Sequence, residues 1–256
     1  MKISVIMPVY NGERFIRQSM DSVLSQEGDF ELEYIICDGL SKDNTVAIAE
    51  EYARRDERVK VISRKDKGPG DAINYGFNLA TGDIGCWLNA DDCFLPGALA
   101  KVAAYFSKAD SREWLYGRCI IVDENGRETR KAITLYKEII GYFYSRNILL
   151  CENYINQPAT FWRMDLWRRL GGLSTCYKGA WDYELWLKMG EAGGAAKALH
   201  CDLAAFRRHS ESISENFFEQ QFAEELAIAS EHGNWLHRLI HRFNCWKIVT
   251  VYKLLS

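Results

Sequence analysis

Asn89, Ala90, Asp91 and Asp92 end an apolar run over residues 84–88, and a second apolar segment opens at Phe94. Two adjacent carboxylates at the exit of a buried strand repel each other and lose hydration, so they call for a cation or hydrogen-bond donors nearby. Tyr10 and Asp38 stand in the same relation to two earlier apolar runs. A carboxylate can accept the N–H of a pyrimidine ring, an aromatic ring can stack on it, and a cation held by Asp92 can bridge a diphosphate. Arg64, Lys65 and Lys67 lie close to the same edge and carry charge that suits phosphates. Each residue also has a structural reading. Asp91 would cap the helix near Pro96 with Asp92 solvated, Asp38 would cap the turn at Gly39, Tyr10 would pack, and the basic cluster would form a solvated loop.

Side chains this far apart in sequence meet only if their elements bring them to one edge. Residues 3–9 form a continuous β-rich apolar run bounded by Pro8 and Asn11, the pattern of a strand buried on both faces. Phe15, Ile16, Met20, Val23 and Leu24 then recur at helical spacing as far as Gln26. A second strand is predicted over 34–37, a capped helix through Val46, Ile48, Ala49 and Tyr52, and a third strand over 59–62. Gly68-Pro69-Gly70 turns into a helix through Ala72, Ile73, Phe77 and Leu79, ahead of the strand at 84–88. This alternation predicts βαβ units and a parallel sheet with right-handed crossovers. In such sheets ligands sit at the carboxyl ends of the strands.

The rhythm then changes. A helix is predicted over 96–107, a strand over 114–122, a hairpin at Glu124-Asn125-Gly126 and a strand over 129–133. A short strand over 157–162, helices over 164–170 and 181–190, a strand over 195–206 and a polar helix over 215–231 follow. The expected fold is a single α/β unit: a mainly parallel nucleotide-binding half (1–108), a mixed, antiparallel half (109–214) and a helical extension (215–256).

The bulk numbers exclude several classes. The chain has 256 residues, 48% of them hydrophobic and 26% charged, as in soluble globular proteins. A net charge of −3 gives no reason to expect nucleic acid as a partner. The eight cysteines form no C-x-x-C pair and read as buried free thiols of a reducing compartment. Nothing is long and apolar enough to span a bilayer, and the first ten residues are too short and strand-like for a signal peptide, so a cytoplasmic location is expected. There is no P-loop, and Gly68-Pro69-Gly70 is not a dinucleotide fingerprint.

SVIMPVYNGERFIRQSMDSVLSQ, IICDGLSKDNT, DKGPGDAINYGFNLATGDIGCWLNADD, QPATFWR, GAWDYELWLKMG and FRRHSESIS occur in this order over roughly residues 3–214. Together they resemble the family 2 inverting glycosyltransferases of the GT-A fold. The resemblance implies that Asp38 holds the base of a nucleotide sugar and that Tyr10 stacks near it. It implies a D-x-D-like motif at Asn89, Asp91 and Asp92, with Asn89 and Asp91 on the donor, Asp91 contacting its sugar or ribose, Asp92 as the ligand of Mn²⁺ or Mg²⁺ and His209 approaching that metal or the diphosphate. Asp182 matches the family's catalytic base, and Pro8, Arg64, Asp71 and Asn74 fall in segments that line the donor. Asn89 stands where many members carry a carboxylate, and Cys37-Asp38-Gly39-Leu40 replaces an aspartate-rich motif.

The activity so implied is metal-assisted transfer from a nucleotide diphosphate sugar, a UDP-sugar, to a glycan or lipid-linked oligosaccharide in surface polysaccharide assembly. A nucleotidyltransferase, or a non-catalytic module binding sugar nucleotides or a partner, are the rival readings. From His232 onward the chain has no acidic residue, and Trp235, Leu239, Phe243 and Trp246 recur at helical spacing among Arg238, Arg242, Lys247 and Lys253. Such a helix suits an anionic membrane surface, here the inner face, or packs its apolar side on the domain or a second subunit. The sequence leaves the oligomeric state open.

Overall fold

A computed structural model describes residues 1–210 and 218–255, without the side chains of 248–255. β1 (Lys2–Val9), β2 (Glu31–Asp38), β3 (Val59–Ser63) and β4 (Ile84–Trp87) alternate with α1 (Ile16–Leu24), α2 (Thr45–Arg55) and α3 (Pro69–Leu79). β1 pairs in parallel with both β2 and β4, and β2 with β3, giving the order β3-β2-β1-β4. The parallel half is as the alternation predicts. The chain builds outward to β3 and returns to the far side of β1, so the switch point lies between β1 and β4.

Pro8 ends the pairing on that side. Pairing of β1 with β4 runs from Ile3↔Ile84 to Ile6↔Trp87, whereas pairing with β2 continues to Val9↔Asp38. The Leu88 amide donates to the Ile6 carbonyl at 2.9 Å. Two residues on, Pro8 turns its nitrogen to the same side but has no hydrogen to give. The pairing ends there, at the switch point beyond whose strand ends a ligand crevice is expected in such sheets.

The second half continues the sheet in mixed sense. β4 pairs antiparallel with β8 (Thr160–Arg163), and β8 with β6 (Trp114–Val122). β6 lies parallel to β9 (Lys197–Arg207), with an irregular register around Arg118, and β9 carries the short β5 (Cys93–Phe94) antiparallel at the edge. The strand expected over 129–133 is reduced to β7 (Glu128–Thr129). Arg130, at φ +50°, turns the chain instead into α5 (Lys131–Ile140). α4 (Ala98–Phe106), α6 (Arg146–Cys151), α7 (Met164–Leu170), α8 (Trp181–Ala192), α9 (Phe218–His232) and α10 (Trp235–Leu255) complete the described elements. The beginning of the polar helix expected from 215, and the end of FRRHSESIS, lie outside the described residues.

Alternation along β1 sends Val5, Met7 and Val9 to one core and Ile6 to the other, so the central strand is buried on both faces. The first core is closed by α1, α2 and α4. The second holds Trp87, Trp114, Trp162 and Trp186, each at most 1% exposed. Trp186 stacks between Trp87 and Trp114, with ring centroids 5.9 and 6.1 Å away. Truncating a core aromatic costs about 3–5 kcal/mol, so this stack fixes where β4 ends. Ile228 and Ala229 of α9 also belong to this core. All eight cysteines are free; Cys37, Cys86 and Cys119 are buried, but Cys176 is exposed, unlike the expected set of buried thiols.

Candidate active site

The loops after β1 and β2 are stitched together above the sheet. Asn11, at φ +52°, donates its amide to Ser41 Oγ at 2.8 Å and accepts the Lys42 amide on Oδ1 at 2.9 Å. Gly12 donates to Thr45 Oγ1 at 2.8 Å, and Glu13 accepts from the Asn44 amide at 2.8 Å. This lattice holds Tyr10 out of the core, with 59% of its surface exposed.

Asp38 is buried at the end of β2. Its Oδ2 accepts from Ser63 Oγ at 2.6 Å and from the amides of Leu40 and Ser41 at 3.0 and 3.1 Å, while Oδ1 takes only a 3.3 Å contact from Ser41. One oxygen is thus committed to the loop and the other retains accepting capacity. Next along this edge, the Arg64 guanidinium donates to Asp71 Oδ2 at 2.7 Å and lies 4.1 Å from the Tyr75 ring centroid. Asn74 is occupied elsewhere: its amide exchanges bonds of 2.9 and 2.8 Å with the Leu173 carbonyl and N–H, pinning α3 to the loop before α8.

The pair after β4 divides. Asp92 is fully buried, its Oδ1 accepting the Arg207 amide at 2.9 Å and its Oδ2 a longer 3.4 Å contact from Asn89. Burial, with the Asp91 charge beside it, pushes the Asp92 carboxyl well above the usual carboxylate range. Asp91 keeps 26% of its side chain exposed and meets His209 through Oδ2 and Nε2, 2.9 Å apart. Strand β9 delivers both partners, Arg207 at its end and His209 just beyond. The Arg207 side chain, 2% exposed, donates to the carbonyls of Asp91, Asp123 and Glu124 and to Gln18 Oε1. Phe15 underlies both, its ring 4.9 Å from the Arg207 guanidinium and 4.8 Å from the His209 ring.

Asp182 opens α8. It is half-buried, and its Oδ1 accepts the Tyr183 amide at 2.7 Å. Burial pushes its carboxyl up to about 6, with the Tyr183 N–H and the positive charge of Lys137 pulling the other way. The turn before it is held by Glu224 of α9, whose carboxylate accepts the amides of Lys178, Gly179 and Ala180 at 2.8–3.2 Å. An anion on backbone amides at a helix start is favoured by the helix dipole. Glu184, the other acid of this turn, faces away and pairs with Lys188 at 2.8 Å.

Among the described residues Asp182 makes no hydrogen bond or ion pair with the other candidates. Its link to β4 runs through one segment. Lys137 donates to Asn156 Oδ1 at 2.9 Å, and the adjacent Gln157 donates to the Trp87 carbonyl at 2.7 Å. Arg207, Glu224, Lys137 and Gln157 were not singled out in the sequence. Gln157 and Arg207 lie within QPATFWR and FRRHSESIS, where their polar type beside apolar strand residues was the available signal.

Comparison with known proteins bears on this geometry. A family model described as glycosyl transferase family 2 matches residues 4–169. An uncharacterized glycosyltransferase of Rickettsia felis is 25% identical over 249 residues, covering 91% of this chain and 37% of its own length. The chain thus spans little more than a third of that relative. A PGL/p-HBAD biosynthesis glycosyltransferase of Mycobacterium bovis is 28% identical over 235 residues, covering 90% of this chain and 86% of that protein. The crystal structure of S. aureus TarS residues 1–349 with UDP-GlcNAc superposes with a TM-score of 0.73 at 19% identity, over 94% of this chain and 70% of that one. The mannosyltransferase PcManGT from Pyrobaculum calidifontis, with GDP-Man and Mn²⁺, gives 0.69 at 18% identity, over 95% and 69%. At these identities the two structures establish a shared GT-A-like fold.

Proposed function

The chain belongs to glycosyl transferase family 2, and on that premise we propose that it transfers a hexosyl or N-acetylhexosaminyl group from a UDP-sugar. The acceptor is a hydroxyl of a glycan or lipid-linked oligosaccharide in surface polysaccharide assembly, and the anomeric centre inverts. The observation that carries the reading is the Asp91–His209 pair at 2.9 Å, with Asp91 partly exposed and the His209 side chain largely buried, where β4 and β9 end beside the β1/β4 switch point.

The nucleotide half is residues 1–108. Tyr10 offers an exposed ring to the base, and Asp38 Oδ1 an acceptor for its N–H. Arg64, held by Asp71, supplies positive charge for the diphosphate. Pro8 ends the β1/β4 pairing beside the donor, Asn89 and Asp71 border the sugar, and Asn74, whose amide is taken up by Leu173, holds the loop before α8 instead. A divalent Mn²⁺ or Mg²⁺ fits Asp91 and His209, an oxygen and a nitrogen donor that converge from two elements. When bound, such an ion supplies Lewis acidity that offsets charge on the leaving diphosphate. This assignment moves the ligand role from Asp92, whose carboxylate turns inward onto the Arg207 amide. Asp92 then holds β9 against the β4 loop and so sets the position of His209.

The acceptor half is residues 109–214. Asp182 takes the proton of the attacking hydroxyl as the new bond forms, a contribution of about 10²–10⁴-fold. One base and one displacement give inversion. The extension expected over 215–256 is helical where it is described, and its exposed aromatic residues with Arg238, Arg242 and Lys247 support contact with the anionic inner face of a membrane. Among the described residues no helix is long and apolar enough to cross one.

The test incubates purified protein with a panel of nucleotide sugars and Mn²⁺ and measures released nucleoside diphosphate. Release from one donor, lost on adding chelator and in Asp91→Ala, is the expected result. No release from any donor, together with no nucleotide binding by calorimetry, would overturn the reading.

A further inference from the structure

A second cluster of metal-ligating side chains, apart from Asp91 and His209, lies where α9 and α10 pack. Glu225, His241 and Cys245 each present one ligand atom, and the three atoms lie within 4.8 Å of one another. Glu225 is 4% exposed and His241 1%. His241 and Cys245 are four residues apart on one helix and so share a face. We propose that these three residues form a structural metal site of the zinc type, distinct from the site at Asp91 and His209.

The hydrogen bonds fix which atoms are available. His241 Nδ1 lies 3.0 Å from the Leu150 carbonyl, which can only accept, so Nδ1 carries the proton. Nε2 is then a bare lone pair, and among the described residues it has no hydrogen-bond partner although the residue is almost wholly enclosed. It faces Glu225 Oε2 at 3.9 Å. Two electron pairs turned toward each other in a buried space are costly unless a metal cation or a proton lies between them. Glu225 Oε1 is held from behind by Asn153 Nδ2 at 3.1 Å, which leaves Oε2 aimed at the histidine. A backbone carbonyl behind a ligating imidazole and an amide behind a ligating carboxylate are the supports metal sites use to orient their ligands. Asn153 Oδ1 is a further buried acceptor with no partner among the described residues, suited to a metal-bound water.

The donor set decides the ion. Nitrogen, oxygen and sulfur together suit Zn²⁺, which takes Cys, His and carboxylate ligands in tetrahedral sites, whereas a thiolate ligand does not suit the harder Mg²⁺ and Mn²⁺. The consequence is mechanical. With Asn244 Nδ2 donating to the Cys151 carbonyl at 3.1 Å, the site clamps the inner face of α10 while its aromatic face stays outward.

The full chain, stripped with chelator and dialysed, would be titrated with Zn²⁺ alone and then with Co²⁺ as a spectroscopic probe. The expected result is one high-affinity zinc per chain and a rise in Tm of several degrees. A thiolate-to-cobalt absorption band is also expected, and Cys245→Ser, an isosteric change at a half-buried position, should abolish it. Far-UV circular dichroism of that variant confirms that it folds. His241→Gln should lose the zinc-dependent Tm rise. Zinc uptake well below one per chain, or a cobalt band unchanged in Cys245→Ser, would overturn the proposal and leave a proton shared between Glu225 and His241.

Discussion

Asp91 and Asp92 are adjacent in sequence, yet only Asp91 keeps its carboxylate at the surface, 26% exposed and against His209, while Asp92 is enclosed and bonded to the Arg207 amide. The difference comes from a partner 115 residues away, which no local pattern discloses. Asp182 shows a second residue-scale effect, since burial pushes its carboxyl from 3.8 up to about 6. A general base must be ionised, so kcat/KM should fall about tenfold per pH unit below 6 and level off above it. Among the described residues Lys137 is the charged group that lowers the Asp182 carboxyl, and the Asp182 charge in turn helps to raise that of Glu225. Lys137→Met, which removes the opposing positive charge, should move the inflection upward; a profile centred near 4 would contradict the assignment. Linkage gives an independent sign. A folded pKa above the unfolded one means that stability is lost as pH rises from about 4 to about 6. Asp182→Asn should therefore melt no lower than wild type at pH 8.

At the scale of elements, α10 carries two unlike faces. His241, Asn244 and Cys245 turn inward, while Trp235, Leu239, Phe243 and Trp246 are 58–75% exposed. Lys247 lies 5.5 Å from the Tyr136 ring of α5, whose Leu135 and Ile139 are also exposed, so the apolar surface spans two helices. Exposed apolar patches of this kind on a basic helix favour an anionic bilayer. Co-sedimentation with phosphatidylserine-containing liposomes should weaken at least tenfold when Trp235, Phe243 and Trp246 are all changed to serine, with helicity unchanged. Equal binding would remove the membrane role from this face. Elements that rest on periodicity were readable in advance. β1 to β4 and α1 to α3 lie close to where apolar spacing puts them. α5 was missed because a left-handed Arg130 diverts the chain after only two residues of strand. β5 was missed because it exists only as a partner for β9.

For the whole molecule, the sheet order β3-β2-β1-β4 followed by the mixed strands brings the ends of β1, β2, β4 and β9 to one side. Alternating strands and helices made the parallel half and its switch point legible, because the carboxyl ends of such strands must share an edge. The mixed half was legible only as a change of rhythm, since its short strands are defined by distant pairing and by a buried aromatic stack. The candidate residues were legible as types at strand ends. Their division of labour was not, because Arg207, Glu224 and Gln157 act through tertiary contacts. The central claim is that a donor held at the β1/β4 switch point reacts with a hydroxyl deprotonated by Asp182. Donor binding and transfer measured on the same Asp182→Asn protein test it most directly. The account predicts donor affinity within about twofold of wild type and transfer reduced by at least ~10²-fold; normal turnover in that variant would contradict it.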